Sequence, residues 1–507
     1  MGLAIVHSRA SVGVEAPAVT VEVHISNGMP GFTLVGLPET TVKESRDRVR
    51  SAIINSRFEF PAKRITVNLA PADLPKEGGR FDLPIALGIL AASEQLPVSK
   101  LEQYEFIGEL ALSGELRSVK GVLPAALATN KVKRQLVVPH DNGDQAALVG
   151  KDNHKSAQSL LEVCSDLCGQ SRLSLHQTSM RERHNENERD LRDIIGQQQG
   201  KRALEIAAAG NHNLLFLGPP GTGKTMLASR LCDLLPEMNE SEAMETASVA
   251  SLIQQDVNQF NWKKRPFRTP HHSSSMAALV GGGTIPRPGE ISLAHNGLLF
   301  LDEMPEFERK VLDSLREPLE SGEIIISRAQ GKTRFPARFQ LVGALNPSPT
   351  GYYEGNQARA NPQIILRYLN RLSGPLLDRF DMSLEIPLLP KGMLAEGGDR
   401  GESTAVVKER VGQARVLMDE RNGKANALLG SREIERYCPL KREDANFLET
   451  ALHRLGLSIR AYHRIIKVAR TIADLEGSQE IEKKHLSEAL GYRAMDRLLK
   501  QLTAQAV

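Results

Sequence analysis

The sequence predicts an α/β protein in which a central α/β domain lies between an N-terminal α+β domain and a C-terminal all-helical domain. Three observations predict this arrangement. Between Leu3 and Leu161, strand-like runs such as VTVEVHIS alternate with helical runs such as LPIALGILAASEQL. The middle of the chain alternates apolar strands with helices, which is the pattern of an α/β domain. From Val406 onwards the apolar residues recur only at helical spacing.

Two polar segments separate these domains. The first is dense in charge and has no apolar periodicity, and the second is rich in glycine, so both are predicted to be linkers. The predicted boundaries are 1–165 for the N-terminal domain, 166–192 for the first linker, 193–392 for the central domain, 393–405 for the second linker and 406–507 for the C-terminal domain.

Composition narrows the class of protein. The 507 residues carry a net charge of +3, so any affinity for nucleic acid must come from local basic patches. The longest apolar run, LPIALGILAA, is well short of the ~18 residues that cross a bilayer, and the N-terminus has no signal-peptide pattern. We therefore expect a cytoplasmic protein with no membrane partner. Cys164 and Cys168 form a C-x3-C pair without a second pair, which predicts reduced thiols rather than a zinc site.

The central domain begins with a phosphate-binding loop. An apolar strand (NLLFL) leads into GPPGTGKT, and a helix follows, which is the context that such a loop requires. The glycines allow the backbone N–H groups and the helix N-terminus to face phosphate oxygens. Lys224 is predicted to contact the β- and γ-phosphates of ATP, and the Thr225 hydroxyl to bind Mg²⁺. The predicted cofactor-binding residues of the loop are Gly218, Pro219, Pro220, Gly221, Thr222, Gly223, Lys224 and Thr225.

Two further apolar strands end in polar residues. GLLFLDE ends in Asp302 and Glu303, and FQLVGALN ends in Asn346. We expect Asp302 to bind the nucleotide's Mg²⁺, and Glu303 to polarise the attacking water. Asn346 could orient the same water, or it could only cap a turn before Pro347. A solvated strand end is the alternative for the two acids.

These features resemble those of a known group of motors. Strands that end in a P-loop, an Asp-Glu pair and an Asn, followed by a helical segment, resemble the AAA+ ATPases. Residues 265–303, RPFRTPHHSSSMAALVGGGTIPRPGEISLAHNGLLFLDE, closely resemble the signature of the magnesium-chelatase-like AAA+ group. Within that group the whole chain resembles the ComM (YifB) family. The helical C-terminal domain then corresponds to the AAA+ lid.

The resemblance implies a function as well as a fold. It implies a hexameric DNA helicase that uses ATP and Mg²⁺ to migrate branches in natural transformation and homologous recombination. Its implied partners are single-stranded and branched DNA, further copies of the chain in a homo-hexamer, and recombination proteins. The alternatives are a chelatase-like motor that remodels a protein for metal insertion, and a structural ATPase. As the family is understood, chelatase motor subunits lack the N-terminal domain, which favours the helicase by analogy.

Two inserts are candidates for DNA contact. In the chelatase-like group the second helix carries an insert that points into the ring pore, and PHHSSS is predicted to be part of it, with loop packing as the alternative. A metal site at His271 and His272 is disfavoured because adjacent rings should point apart. EIIISRAQGKTRFPARF predicts a β-hairpin before the third strand, either contacting DNA or only solvated. The candidate DNA contacts are Lys263, Lys264, Arg268, Arg328, Lys332 and Arg334.

Two arginines are expected to complete the ATP site. SGPLLDRFD resembles the segment that supplies the arginine finger of the group, so Arg379 is expected to reach the ATP of a neighbouring subunit. The alternative is a salt bridge to Asp378 or Asp381. In LSIRAYHRIIKVARTIADL, Arg460 matches sensor 2 of the group, and it shares a cationic face with Arg464 and Lys467. A solvated helix face is the alternative there.

The N-terminal domain resembles the fold of ribosomal protein S5 domain 2. The segment KEGGRFDLPIALGIL carries this likeness, which is shared with the proteolytic domain of Lon and the C-terminal domain of the helicase RadA. Lon-type catalysis needs a serine and a lysine, but Gly79 or Arg80 and approximately Leu123 occupy those places. We therefore predict a non-proteolytic platform for assembly or DNA binding.

Overall fold

The computed structural model describes most of the chain. The described ranges are 2–36, 44–76, 78–150, 154–173, 189–253, 262–283, 286–328, 331–349, 351, 361–390, 392 and 399–506. The mixed α/β class, with a parallel sheet and a helical C-terminal region, is as predicted.

The N-terminal domain is built on one sheet of seven strands in the order β3-β4-β2-β1-β5-β8-β9. Strands β1, β2 and β4 are antiparallel neighbours, whereas β5, β8 and β9 run parallel. Strands β6 and β7 form a separate antiparallel pair outside this sheet. The apolar helix α2 is buried along its whole length against β1 and β2. The strands are β1 Gly2–Arg9, β2 Ala18–Ser26, β3 Gly31–Val35, β4 Arg64–Ala70, β5 Tyr104–Phe106, β6 Glu109–Leu110, β7 Leu116–Arg117, β8 Gln135–Pro139 and β9 His154–Ala157; the helices are α1 Ser45–Asn55, α2 Asp82–Ala92, α3 Val122–Lys131, α4 Gly143–Ala147 and α5 Leu160–Leu167.

The central domain has a parallel five-stranded sheet in the order β11-β14-β17-β10-β18. Two small hairpins, β12–β13 and β15–β16, stand outside this sheet. The strands are β10 Leu214–Leu217, β11 Phe267–Arg268, β12 Gly281–Gly282, β13 Arg287–Pro288, β14 Leu298–Leu301, β15 Glu323–Arg328, β16 Gly331–Pro336, β17 Gln340–Leu345 and β18 Met382–Glu385; the helices are α6 Gln198–Gly210, α7 Lys224–Leu234, α8 Glu240–Ser251, α9 Met276–Val280, α10 Glu290–Leu293, α11 Arg309–Asp313, α12 Arg316–Ser321, α13 Pro362–Leu369 and α14 Gly374–Leu377.

The C-terminal domain is helical and packs on the central one. Its helices are α15 Thr404–Asn422, α16 Ser431–Tyr437, α17 Arg442–Leu455, α18 Ile459–Leu475, α19 Lys483–Gly491 and α20 Ala494–Ala506. Helices α15 and α18 lie on α6, and their apolar residues share one core with strands β10 and β14. Helix α20 packs on α13 and β18.

The predicted domain boundaries fall close to ends of elements. Residue 165 lies inside α5, which continues to Leu167, and α15 begins at Thr404 rather than after 405. Residues 174–188 of the first predicted linker and 393–398 of the second lie outside the described residues. At the end of the first linker the buried Leu191 is anchored, because its N–H donates to Thr404 Oγ1 at 2.8 Å.

The N-terminal domain docks on the central domain at two places. Helix α3 packs on α8, where Leu123 meets Ala247, and the Gly121 N–H donates to the Ser251 carbonyl at 3.0 Å. The turn between β1 and β2 lies on strand β16. Gly13 in that turn has φ +56°, and a Cβ there would lie 2.7 Å from Cγ2 of Thr333, so both the conformation and the contact require glycine.

Candidate nucleotide-hydrolysis site

The site lies where parallel strands of the central sheet end together. β10 pairs with β17 in the register Leu217 to Leu345, and β14 pairs with β17 in the register Leu301 to Gly343. The residues that follow these strands therefore share one edge of the sheet, which is where open α/β sheets bind ligands. The P-loop, the Asp302–Glu303 pair and Asn346 follow β10, β14 and β17 respectively.

The P-loop curls through two glycines with left-handed backbone. Gly221 has φ +80° and Gly223 has φ +88°, so other residues would be strained there. The Thr222 hydroxyl donates to the Pro219 carbonyl at 3.0 Å, which closes the loop on itself. Helix α7 begins directly after Gly223, so its positive N-terminal end faces the loop, as an anion site requires.

Lys224 links the P-loop to the neighbouring strand. Its Nζ donates to the carbonyls of Gly218 and Pro219 at 2.7 and 2.8 Å, and to Asn346 Oδ1 at 3.1 Å. Burial lowers the pKa of Lys224, while the carboxylates of Asp302 and Glu303 oppose that shift. The ammonium is thus held at the loop by three oxygens, and Asn346 does contact the site rather than only the turn after it.

Thr225 and Asp302 provide a pair of oxygen ligands. The Thr225 hydroxyl donates to Asp302 Oδ2 at 2.7 Å, so the two groups are already adjacent. A hydroxyl with a carboxylate suits Mg²⁺, which is usually bound by one or two protein oxygens together with phosphate oxygens. Among the described residues there is no cluster of three or more His, Cys, Asp and Glu that could hold a metal by itself. The residues present therefore fit a magnesium ion that arrives with a nucleotide.

Glu303 has an unusual backbone and an unexpected neighbour. Its φ is +49°, which is uncommon for a residue other than glycine, and its N–H donates to Asp302 Oδ1 at 2.9 Å. Oε2 of Glu303 lies 3.7 Å from Nδ1 of His272. The rings of His271 and His272 lie side by side with centroids 4.1 Å apart, so the expectation that they point apart is wrong.

His272 lies beside Glu303, and the assignment of PHHSSS to a pore insert stays a prediction. The hairpin β12–β13 follows between α9 and α10, and residues 284 and 285 lie outside the described part. His272 follows β11, which pairs with β14 in the register Arg268 to Leu299. His272 and Glu303 each lie four residues beyond this pair, in the segments that follow the two strands. Sequence reasoning missed this proximity, and it also missed Arg287, an exposed cation on β13.

The Arg379 side chain is only 23% exposed and lies near two other arginines. Its guanidinium pairs with Glu320 on α12, and not with Asp378 or Asp381. Burial, followed by the nearby charges of Arg460 and Arg316, lowers the pKa of Arg379. Asp378 instead lies 3.4 Å from Nη1 of Arg460.

The predicted cationic face of α18 divides into two parts. The side chain of Arg460 is 71% exposed, whereas that of Arg464 is only 11% exposed and donates weakly to the Phe380 carbonyl at 3.5 Å. Lys467 donates to the Ala427 carbonyl at 2.9 Å. Burial lowers the pKa of both Arg464 and Lys467. The alternative of a solvated helix face is therefore wrong for these two residues.

The candidate DNA-contact residues differ in solvent exposure and in whether a carboxylate already pairs with them. Arg268 makes a bidentate pair with Glu290 on α10, both contacts at 2.7 Å, so a phosphate would have to displace that carboxylate. Lys264 and Lys332 are exposed and Lys263 is half-buried. Arg334 is exposed and 3.7 Å from Glu323, and the Arg328 side chain lies outside the described residues.

The N-terminal domain contains buried charged side chains at the start of α2. Asp82 is buried and paired with Arg48 at 2.7 Å, and burial raises the pKa of Asp82 to about 6. Arg80 is also buried, and Leu123 is covered by α8.

Across the described residues, no helix combines the length and the apolar character that crossing a membrane would need.

Family models of magnesium chelatase match segments in all three domains of the chain. Residues 190–394 match the family model described as magnesium chelatase, subunit ChlI, and residues 401–493 match its C-terminal model. Residues 21–142 match a model described as subunit ChlI of Mg-chelatase. We expected chelatase motor subunits to lack the N-terminal domain. The match of residues 21–142 to a chelatase-subunit model does not support that expectation.

Several relatives align over the full length of the chain. The competence protein ComM of Haemophilus influenzae is 67% identical over 99% of this chain and 100% of its own length. YifB of Escherichia coli is 59% identical over 98% of each chain. The 38 kDa magnesium-chelatase subunit of Rhodobacter capsulatus is 27% identical over 60% of this chain and 86% of its own length.

Proposed function

This chain belongs to the ComM/YifB family of magnesium-chelatase-like AAA+ proteins, and we propose that it is a ring-forming ATPase that moves along DNA. In this proposal it works in the cytoplasm, where it migrates branches during natural transformation and homologous recombination. Recombination proteins would supply or receive its DNA.

The observation that carries the ATPase part is the meeting of five side chains at one edge of the central sheet. Lys224 and Asn346 are in contact, Thr225 and Asp302 share a hydrogen bond, and Glu303 follows directly. These are the groups that phosphoryl transfer to water requires: a cation for the β- and γ-phosphates, oxygen ligands for the metal, and a base.

Each of these residues has a distinct part in hydrolysis. Lys224 and the P-loop N–H groups bind the phosphates, and Thr225 and Asp302 hold the metal. Mg²⁺, when bound, neutralises phosphate charge. The Glu303 carboxylate accepts the proton of the attacking water, and Asn346 orients that water while fixing Lys224.

The second half of the site is supplied by a neighbouring copy. The Arg379 side chain in the central domain is 23% exposed, and a head-to-tail contact would bring it to the next subunit's ATP. Arg460, exposed on the C-terminal domain, serves as sensor 2 and contacts phosphate when that domain closes. A homo-hexamer is the proposed ring.

Two hairpins are the proposed DNA contacts. A Cβ atom added at Gly281 in β12 would lie 3.1 Å from Ile326 Cδ1 in β15. The first hairpin, β12–β13, and the second hairpin, β15–β16, are therefore neighbours. Arg287 is exposed on the first hairpin, and Lys332 and Arg334 on the second. Because the net charge of the chain is only +3, such local cations must supply the attraction for phosphate.

A chelatase-like motor that remodels a protein for metal insertion is the second candidate. The matches to models and a subunit named for magnesium chelatase favour it. It predicts an ATPase rate that responds to a protein partner and not to DNA.

One experiment separates the two candidates. The ATPase rate of the full chain is measured alone, with single-stranded DNA and with a four-way junction, and movement of the junction is followed on labelled strands. We expect stimulation by DNA and ATP-dependent branch movement, both lost in Glu303→Gln. A rate indifferent to every DNA, in a protein that does hydrolyse ATP, would rule out the DNA motor.

A further inference from the structure

Asn213 connects the strand that carries the P-loop to the segment that carries Arg379. It lies immediately before β10, at the opposite end of that strand from the P-loop. Its Nδ2 donates to the Arg379 carbonyl at 2.9 Å, and its N–H donates to Asp381 Oδ2 at 3.1 Å. In return, its carbonyl accepts the N–H groups of Asp381 and Met382 at 3.0 and 3.1 Å.

Further hydrogen bonds hold Asn213 and its neighbour His212 in place. Asn213 Oδ1 accepts the Leu341 N–H at 2.7 Å, so the side chain is also tied to the start of β17. Gln340 Nε2 donates to the carbonyl of His212 at 2.7 Å, and the buried His212 ring lies 2.8 Å from Thr471 Oγ1 on α18. Asn213 is thus tied directly to β17, while the preceding residue His212 is tied to Gln340 and to the C-terminal domain.

We propose that Asn213 is a positioning residue for Arg379. It holds both ends of the three-residue segment from Arg379 to Asp381, so it sets the backbone from which the guanidinium reaches the ATP of the next subunit. This inference rests on the proposed trans-acting role of Arg379, and Asn213 itself touches no substrate.

The segment needs such a clamp. Arg379 is in the short connection between α14 and β18, where its N–H bonds to the Leu376 carbonyl at 2.8 Å. A long arginine side chain amplifies any shift of its backbone at the guanidinium, and a displacement of about 1 Å in a catalytic group can cost ~10²-fold in rate. The bond from Asn213 Nδ2 is the side-chain contact that fixes the Arg379 peptide.

The test uses the fact that Arg379 serves another chain. Asn213→Ala should bind ATP with unchanged affinity, because its own P-loop is intact, while the ATPase rate falls ~10- to 10²-fold. Co-assembled rings of Asn213→Ala with Lys224→Ala should regain activity, since a Lys224→Ala chain donates a well-placed arginine to an intact P-loop. With random mixing, about a quarter of the interfaces combine the two sound halves.

Parallel variants make the outcomes distinct. Asn213→Asp keeps the acceptor for the Leu341 N–H but cannot donate to the Arg379 carbonyl, so it should behave like Asn213→Ala and replaces it if the alanine variant does not fold. Asn142→Ala is the matched control, because Asn142 makes a similar buried clamp on Val119 in the N-terminal domain. It should leave the ATPase rate unchanged.

Four results would overturn the inference. An Asn213→Asp variant with the wild-type rate would show that the bond to Arg379 is unnecessary. A loss of ATP affinity in the Asn213 variants would mean that the residue supports its own P-loop. Recovery in rings of Arg379→Ala with Lys224→Ala, but none with the Asn213 variants, would also refute it. If neither mixture recovers, the trans-acting Arg379 fails and the inference fails with it.

Discussion

Glu303→Gln and Lys224→Ala should separate chemistry from binding in the proposed ATP site. Glutamine keeps the volume of Glu303 and its N–H bond to Asp302, and it touches none of the oxygens that hold Lys224. Alanine at 224 removes the only ammonium held between the P-loop carbonyls and Asn346 in the described part of the site. The first change removes a base, and the second removes a phosphate ligand.

The size of each effect follows from the general strength of the interaction that each variant is expected to remove. Contacts from Lys224 to two phosphates are charge-assisted hydrogen bonds worth ~1.5–3 kcal/mol each, so their loss weakens ATP binding by ~10²–10⁴-fold and removes measurable affinity. Loss of a general base lowers the hydrolysis rate by ~10²–10⁴-fold, while the affinity for ATP stays the same. Both variants are therefore inactive, but only one fails to bind nucleotide.

The assay is titration of a fluorescent ATP analogue together with steady-state hydrolysis. Glu308→Gln is the matched control, because Glu308 is an exposed carboxylate a few residues further along the same segment. It should leave both quantities unchanged. If Glu303→Gln lost affinity as severely as Lys224→Ala, Glu303 would be a ligand of the nucleotide complex and its assignment as the base would be wrong.

Three further predictions follow from the hairpin and the N-terminal domain. Lys332→Ala with Arg334→Ala should weaken DNA binding and reduce the slope of log affinity against log salt by up to about 2, and an unchanged slope would remove this hairpin from the DNA path. Asp82 has a pKa raised to about 6 by burial despite its pair with Arg48, so the stability gained from its proton is present below pH ~4 and is lost as the pH rises through 6. Relative to Asp82→Asn, the protection of helix α2 in hydrogen exchange should fall by about 3 kcal/mol over that range, and a pH-independent difference would contradict the assignment. Finally, the full chain should cleave no unfolded protein substrate, because the resemblance to Lon puts Gly79 or Arg80 at the position of the nucleophile; cleavage that persists in Arg80→Ala and co-purifies with the chain would contradict this prediction.

The parts of the site that sequence predicted well are those encoded next to a strand. The P-loop, Asp302–Glu303 and Asn346 each follow an apolar run, and a parallel sheet necessarily brings such positions to one edge. The hairpin β15–β16 could also be predicted from the sequence, because its alternating pattern and its turn lie within one short segment. In these cases a short stretch contains both the element and the functional residue.

The parts that sequence missed depend on partners far away in the chain. Arg464 looks like a surface charge on an amphipathic helix, and only the docking of that helix buries it beside Phe380. Arg268 looks free until Glu290 is brought across to it. Asn213 has an ordinary position before a strand, and its partners lie 128 to 168 residues later. These contacts depend on how distant elements pack against one another. The hydrophobic periodicity of a single segment contains no information about that packing.

The docking of the N-terminal domain also constrains how this chain can change during evolution. Leu123 and Ala247 lie against each other, and Gly13 admits no side chain against Thr333. A larger side chain at Leu123 or Ala247 would need a compensating change at the other position, so we expect these contact positions to vary together among relatives. A fragment that begins at residue 189 would leave Met244, Ala247 and Leu252 without their apolar cover. Such a fragment should self-associate through that face, and its assembly state would then misrepresent that of the full-length protein.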